Sequence, residues 1–105
     1  MKKINHLESA RKTINLESEG LKNLAKTLNK DFSILCDYLL TTKGRIICLG
    51  VGKSGHIANK ISATLSSTGS PAFFVSAAEA LHGDVGAITK KDSVIIFSHL
   101  VKVTK

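Results

Sequence analysis

A glycine-rich stretch that carries a lysine, a serine and a histidine is the segment best suited to chemistry. It has the sequence Gly-Val-Gly-Lys-Ser-Gly-His over residues 50–56, between an apolar run and a segment with helical periodicity. Glycines let the backbone approach a ligand closely, and the N–H groups of a first helical turn point toward negative charge. Lys53 adds a full positive charge and Ser54 adds a hydroxyl. The stretch therefore predicts a phosphate or phosphosugar site, and the alternative is a tight strand-to-helix turn that binds nothing.

Two better-known phosphate loops fit this stretch poorly. The glycines at 50, 52 and 55 match the spacing of the dinucleotide fingerprint, which also needs an acidic residue about 20 positions later at the end of the second strand. The second apolar run ends at Ser76, and Glu79 comes too late among helix-forming residues. A P-loop would need a glycine where the chain has Ile47. A dinucleotide enzyme and a nucleoside triphosphatase are both disfavoured.

Hydropathy around this stretch predicts alternating helices and strands. An apolar stripe predicts a helix over 4–29, in which Gly20 favours a kink, and Asp31 is the predicted N-cap of a second helix that ends at Gly44. Three apolar runs without polar alternation predict parallel strands buried on both faces. The third helix is expected to place Ile57, Ile61 and Leu65 on the sheet. The predicted strands are 46–49, 72–75 and 93–97, and the predicted third and fourth helical segments are 57–68 and 77–81.

This order predicts an α/β fold: N-terminal helices followed by a partial doubly wound parallel sheet of three strands. A length of 105 residues bounds the chain to one small domain, and no apolar run is long enough to span a membrane.

The formal net charge is +7, but the basic residues are scattered and only five aromatics are present, so anionic small molecules are expected as partners rather than nucleic acid. No signal peptide is recognised, and Cys36 and Cys48 lie in apolar stretches, which favours reduced thiols and a cytoplasmic location.

Four motifs, taken in order, resemble the sugar isomerase (SIS) domain of D-arabinose 5-phosphate isomerases. They are the glycine-rich stretch, Ser-Thr-Gly-Ser-Pro at 67–71, Phe-Phe-Val at 73–75 and Glu-Ala-Leu-His-Gly-Asp-Val-Gly at 79–86, and the resemblance covers about residues 10–98. The resemblance implies reversible aldose–ketose isomerisation between ribulose 5-phosphate and arabinose 5-phosphate, in lipopolysaccharide or capsule synthesis. It also implies that full-length members assemble as homo-oligomers.

Carried over by position, the resemblance implies roles for individual residues. Lys53 corresponds to the family's active-site lysine, Gly69 and Ser70 to a pair that lines the sugar-phosphate pocket, and His82 to a histidine that contacts substrate. Ser54 joins them as a substrate-binding hydroxyl. Family members often carry a zinc-associated histidine where this chain has Ser76, so no zinc site is expected. No cofactor is expected.

The end of the chain departs from the family pattern. Members carry a Ser-x-Ser-Gly-Glu-Ser/Thr phosphate loop after the third strand, whereas this chain continues after Ser98-His99 with an unrelated sequence at 100–105, which a single-base deletion would produce from that loop. The expected organisation is therefore an N-terminal helical segment (1–43), the N-terminal part of an SIS domain (44–98) and an aberrant tail (99–105). The chain is expected to be truncated and inactive by itself. A non-catalytic SIS module that binds a phosphosugar for regulation is the alternative, and a helix-mediated interaction fragment that uses 4–29 is a third hypothesis.

Overall fold

A computed structural model of the chain describes residues 3–80 and 83–98. The chain separates into two compact units, Met1–Cys36 and Asp37–Lys105. Leu39, near the end of the second helix, packs against the core of the sheet. The division of the chain at 43/44 stays a prediction. Among the described residues, no helix combines the length and the apolar character that a membrane crossing requires.

The first unit is dominated by one long helix. Helix α1, His6–Thr27, begins at Asn5, whose side chain accepts a hydrogen bond from the N–H of Glu8. The helix is continuous through Gly20, so the chain does not break there. Helix α2, Lys30–Leu40, begins earlier than predicted: the Asn29 side chain, not that of Asp31, caps it by accepting the N–H of Asp31 at 2.9 Å. An N-cap side chain must precede the first turn to reach its donors, and Asp31 lies inside that turn.

The second unit is a three-stranded parallel sheet with one long helix packed on it. The strand order is β2-β1-β3, so β1 is central and β3 lies at an edge of the described sheet. Both strand pairs are parallel, which confirms the predicted α/β class. The elements are β1 (Ile46–Gly50), α3 (Gly52–Ser67), β2 (Ala72–Ser76), α4 (Ala77–Ala80), a 3₁₀ turn (Asp84–Ala87) and β3 (Ser93–Ile96).

The core lies between α3 and the sheet. Ile46 and Cys48 of β1 and Ala58 of α3 form its buried centre, and Phe74 of β2 and Ile95 of β3 pack against it. Of the three strands, only β1 is buried along nearly its whole length, as its unalternating apolar sequence predicted.

The prediction that β3 is buried on both faces was wrong. Val94 is 41% and Ile96 is 72% exposed. The reason is that helix α3 packs on β1 and β2 rather than over this strand. An unalternating apolar sequence therefore did not guarantee a covering layer on each face of the edge strand.

Two further sequence expectations were wrong for steric reasons. Of the three α3 residues expected on the sheet, Ile61 and Leu65 pack against the core, but Ile57 is 56% exposed. The buried residues of the helix are instead Gly55, Ala58 and Ser62. Small side chains bring the helix axis closer to the sheet than a row of isoleucines would allow. Gly44 is not the C′ glycine of α2, which ends at Leu40. It is required by close approach, since a Cβ there would lie 2.8 Å from backbone atoms of Lys91.

Candidate functional site

The glycine-rich stretch forms a tighter turn than its sequence suggested. Strand β1 ends at Gly50, Val51 is the N-cap residue, and α3 begins at Gly52 rather than at the predicted residue 57. Lys53 and Ser54 therefore belong to the first turn of α3 and are held by the helix rather than by a loop. Residues on a helix are positioned more precisely than residues on a loop, which suits a binding site.

The three glycines of the turn have different physical roles. Gly52 has a φ of +60°, a left-handed conformation that costs other residues about 1–2 kcal/mol. Gly50 and Gly55 allow the helix to press against the strand end: a Cβ at Gly50 would lie 2.8 Å from the Ser54 carbonyl oxygen, and one at Gly55 would lie 3.2 Å from the Gly50 oxygen. One glycine therefore sets the backbone turn, and two set the distance between helix and strand.

The start of α3 is suited to an anion. Val51 provides no side-chain cap, and the first intrahelical bond runs from the Gly55 N–H to the Val51 carbonyl at 3.1 Å. The N–H groups of Gly52 and Lys53 precede that bond, and N–H groups at this position have no intrahelical acceptor. The helix dipole and the exposed Lys53 ammonium add positive potential at the same place. Together they form a region that favours phosphate or another oxyanion.

A cleft of about 620 Å³ opens beside this helix start. It lies at the carboxyl ends of β1 and β3, and the chain reaches β3 by crossing from β2 on one side of β1 to the other side. Such a switch in strand order is where open α/β sheets bind ligands. A bond of 2.8 Å from the Phe97 N–H to the Leu49 carbonyl keeps the end of β3 beside the turn. The cleft is lined by Val51, Lys53, Ser54, Ile57, Phe97 and Ser98.

A second, smaller groove of about 310 Å³ lies on the other side of the turn, toward β2. His56 and Asn59 from α3 and Ser76 from the carboxyl end of β2 line it, together with the three glycines of the turn. Val51 contributes to both this groove and the larger cleft. The two spaces therefore flank a single turn, with a cationic side chain on one side and an imidazole, an amide and a hydroxyl on the other.

The structure brings together only part of the sequence-predicted site. Lys53 and Ser54 line the same cleft. Gly69 and Ser70 lie at the other end of α3, next to the start of β2, and a 16-residue helix is about 24 Å long. Gly69 has a φ of +103°, and the Ser70 N–H donates to the Leu65 carbonyl. In this structure the two residues therefore terminate helix α3. His82 lies outside the described residues. The roles of these three residues stay predictions.

Several residues at the cleft were not selected from the sequence. Phe97 and Ser98 follow the third strand, and Val51 and Ile57 flank the lysine. The signal for Phe97 and Ser98 was available, because the carboxyl ends of adjacent parallel strands meet at one edge of a sheet. Ile57 was missed because its four-residue spacing to later apolar residues assigned it to the core. His56 was inside the glycine-rich motif but received no role.

Burial determines the protonation state of the cysteine closest to the turn. Cys48, two residues before the end of β1, is fully buried, and burial raises the pKa of its thiol, so it stays protonated in the neutral range. It is therefore a packing residue and no nucleophile at the cleft. Among residues 3–80 and 83–98, no three His, Cys, Asp or Glu side chains are grouped as metal ligands would be. The expectation that Ser76 leaves the chain without a zinc site stays a prediction.

The chain matches a known protein family and is similar to several named proteins. The SIS domain family matches residues 39–100. The chain is 48% identical over 96 residues to the arabinose 5-phosphate isomerase KdsD of Pseudomonas aeruginosa, covering 91% of this chain and 29% of that protein. It is 45% identical over 93 residues to the arabinose 5-phosphate isomerase GutQ of Escherichia coli K12, covering 89% of this chain and 29% of the relative. The chain thus spans less than a third of the length of these relatives.

Solved structures give the same relationship at the level of the fold. A protein of Escherichia coli CFT073, solved in complex with arabinose 5-phosphate, superimposes with a TM-score of 0.83 at 35% identity, covering 91% of this chain and 51% of that one. A Bacteroides fragilis protein described as a phosphosugar isomerase involved in capsule formation gives a TM-score of 0.81 at 27% identity, covering 88% of this chain and 49% of its own. The chain therefore matches about half of each solved chain.

Proposed function

The chain belongs to the SIS domain family, and from this membership we propose that its cleft binds the phosphate-bearing end of a sugar phosphate. The ligand class follows from the relatives, which are named for arabinose 5-phosphate, and from the neighbour that was solved with that sugar phosphate bound. Within a complete domain, the reaction served by this site is the interconversion of ribulose 5-phosphate and arabinose 5-phosphate. A cytoplasmic location and homo-oligomeric assembly accompany this proposal as predictions.

The observation that carries the proposal is the position of Lys53. This residue lines the cleft at the switch in strand order, and it lies in the first turn of α3, where the helix N–H groups have no intrahelical acceptor. A phosphate placed there would meet a lysine charge, a helix dipole and backbone donors at once. Ser98, after the end of β3, adds a hydroxyl from the opposite wall. Every one of these groups is suited to an anion.

The proposed chemistry divides between binding and proton transfer. Aldose–ketose isomerisation moves a proton between C1 and C2 through an enediolate, so it needs a base and a group that stabilises negative charge on oxygen. Lys53 supplies charge stabilisation, and Ile57 and Phe97 provide an apolar wall that reduces access of water to the ligand. The imidazole of His56 lies across the turn, in the smaller groove, where it can reach a ligand that crosses Val51. His82 stays the predicted substrate-contacting histidine.

We further propose that residues 1–105 by themselves bind the ligand but do not turn it over. Positioning contributes several kcal/mol to enzymatic catalysis, and the phosphate loop implied by the family pattern supplies much of it through remote binding energy. Regulation by phosphosugar binding is the second candidate function. It predicts the same binding without turnover even when the family's loop is restored after residue 99.

The deciding experiment measures binding and turnover separately. Arabinose 5-phosphate and unphosphorylated arabinose are titrated into the chain and followed by NMR chemical-shift changes, with Lys53→Gln as the variant and Lys60→Gln as the control. Lys60 is exposed on the same helix but does not line the cleft. A charge-assisted hydrogen bond contributes about 1.5–3 kcal/mol, so Lys53→Gln should weaken binding about tenfold or more. Equal binding of the phosphorylated and unphosphorylated sugars would contradict the proposal.

Turnover of ribulose 5-phosphate is then assayed on the chain and on a version with the family's loop restored. Activity only in the restored version supports isomerisation, whereas activity in neither, with binding retained, supports the regulatory module. Turnover by residues 1–105 would refute the proposal that this chain is inactive.

A further inference from the structure

A second concentration of positive charge lies at the amino end of the sheet, away from the glycine-rich turn. Here a groove of about 260 Å³ is lined by Lys43 from the α2–β1 connection and by Lys90 and Lys91 from the segment before β3. Tyr38, near the end of α2, forms another side of it. We propose that this lysine groove binds a small ligand of the nucleoside diphosphate class. The inference is independent of the sugar-phosphate site, which occupies the opposite end of the strands.

Hydrogen bonds hold the two lysine-bearing segments together. The Gly44 N–H donates to the Lys91 carbonyl at 2.8 Å, and the Ser93 N–H donates to the Arg45 carbonyl at 3.0 Å. The hydroxyls of Thr42 and Ser93 lie 2.6 Å apart. A side chain at Gly44 would collide with the backbone of Lys91, so glycine at this position is what allows the approach. The proximity of the lysines is therefore built into the backbone.

Asp92 also lines the groove, but it does not neutralise the lysines. The carboxylate of Asp92 is only 2% exposed. It accepts the N–H of Arg45 at 2.7 Å and that of Thr89 at 2.8 Å, and the Arg45 guanidinium lies 3.8 Å away. These backbone hydrogen bonds, with the arginine charge, lower the pKa of Asp92, so its charge is already matched inside the loop. The three lysines are exposed, and the mutual repulsion of their ammonium groups favours an anionic ligand.

The neighbouring groups narrow the ligand class. Tyr38 is 61% exposed, and its ring offers a flat apolar surface at the edge of the groove. Lysines recognise phosphate as point charges, and an aromatic face can stack against a planar base. A groove of about 260 Å³ suits a small molecule, and a nucleic acid would need a longer basic track with several aromatics. A ligand with two phosphates and one base satisfies both kinds of contact.

The test uses the full chain and three probes: ADP, AMP and pyrophosphate. Isothermal titration or NMR titration is carried out at low and high salt, because exposed charges are screened within about 10 Å at 0.1 M salt. We expect ADP to bind more tightly than either AMP or pyrophosphate. The triple variant K43Q/K90Q/K91Q should weaken ADP binding about tenfold or more. Tyr38→Ala should weaken ADP and AMP but leave pyrophosphate unchanged.

Two control variants separate this site from the other basic surfaces. Lys60→Gln removes an exposed charge outside the groove and should leave ADP binding unchanged, whereas Lys53→Gln removes the cleft lysine and tests whether ADP occupies the sugar-phosphate cleft instead. Circular dichroism of each variant checks that these surface changes preserve the fold. Loss of ADP binding in Lys53→Gln would assign the nucleotide to the sugar-phosphate cleft and overturn the proposal. Failure of ADP to bind at millimolar concentrations, or tighter binding of a single-stranded oligonucleotide that strengthens with its length, would also overturn it.

Discussion

Replacing Gly50 by Ala should destabilise the sheet unit and displace the first turn of α3 from β1. The added Cβ would lie 2.8 Å from the Ser54 oxygen, 2.9 Å from the Ser54 carbonyl carbon and 3.0 Å from the Gly55 nitrogen. All three atoms belong to the helix backbone, so no side-chain rotation can relieve the contact. Because Lys53 lies in that same turn, the displacement would also move the lysine within the cleft.

The distances give the scale of the effect. Ordinary Cβ contacts begin near 3.4 Å, and the added Cβ would lie 2.8 Å from the Ser54 oxygen. The start of the helix would therefore have to move away from the strand by about 0.6 Å. Overpacking of this kind typically costs about 1–3 kcal/mol. Gly55→Ala is the matched comparison: its Cβ would lie 3.2 Å from the Gly50 oxygen, and the helix gains about 1 kcal/mol from replacing a glycine. We therefore expect Gly50→Ala to be clearly destabilising and Gly55→Ala to be close to neutral.

Urea unfolding followed by far-ultraviolet circular dichroism measures both variants. Where unfolding is not cooperative, amide hydrogen exchange of β1 and α3 replaces it as the readout. Gly20→Ala provides a third comparison, because nothing lies within 4 Å of the added Cβ and only the gain in helix propensity applies. A Gly50→Ala variant that is as stable as the unsubstituted chain, or more stable, would refute the claim that Gly50 sets the distance between helix and strand.

Three further outcomes follow from other parts of the structure. Asp92 has a lowered pKa, so its stabilising contribution is present above the unfolded-state pKa near 3.8 and is lost as the pH falls through the lower folded-state value. Asp92→Asn should remove that acid-side loss of stability, and an unchanged dependence of unfolding on pH would contradict this assignment. Ile96, 72% exposed on the edge strand, should promote self-association of the chain, so Ile96→Lys should raise the monomer fraction in size-exclusion chromatography. In the loop-restored protein, Lys53→Ala should raise KM, because the lysine binds the phosphate, and should also lower kcat, because it stabilises the enediolate; an unchanged kcat would indicate a role in binding alone.

The sequence by itself determined the fold class and the place of the candidate site. The unalternating apolar run at 46–49 specifies a buried parallel strand, and the core residues Ile46, Ile47 and Cys48 follow directly from that pattern. The glycine-rich stretch after the first strand located the candidate anion-binding turn, because its residue types limit the backbone conformations available there. These inferences depend on local conformational preferences, which are set by residues that are adjacent in the sequence.

Element boundaries were less well determined because different local signals compete. Asn29 and Asp31 are both good capping residues, and only the traced backbone shows that the Asn29 side chain meets the N–H two residues later. Likewise, the four-residue spacing that begins at Ile57 correctly indicated a helix but wrongly placed Ile57 on the side that faces the sheet. The face was decided by Gly55, Ala58 and Ser62, whose small size allows closer approach to the strands.

Only the tertiary structure decided which distant residues share a site. The strand order β2-β1-β3 brings Phe97 and Ser98 to Lys53, and it leaves Gly69 and Ser70 at the far end of α3. The same order joins the lysine of the α2–β1 connection to the two lysines before β3 at the opposite end of the sheet. Residues separated by more than 40 positions become neighbours through strand pairing and crossover connections. Such long-range pairing depends on the whole sheet, so the spacing of residues along the chain does not encode it.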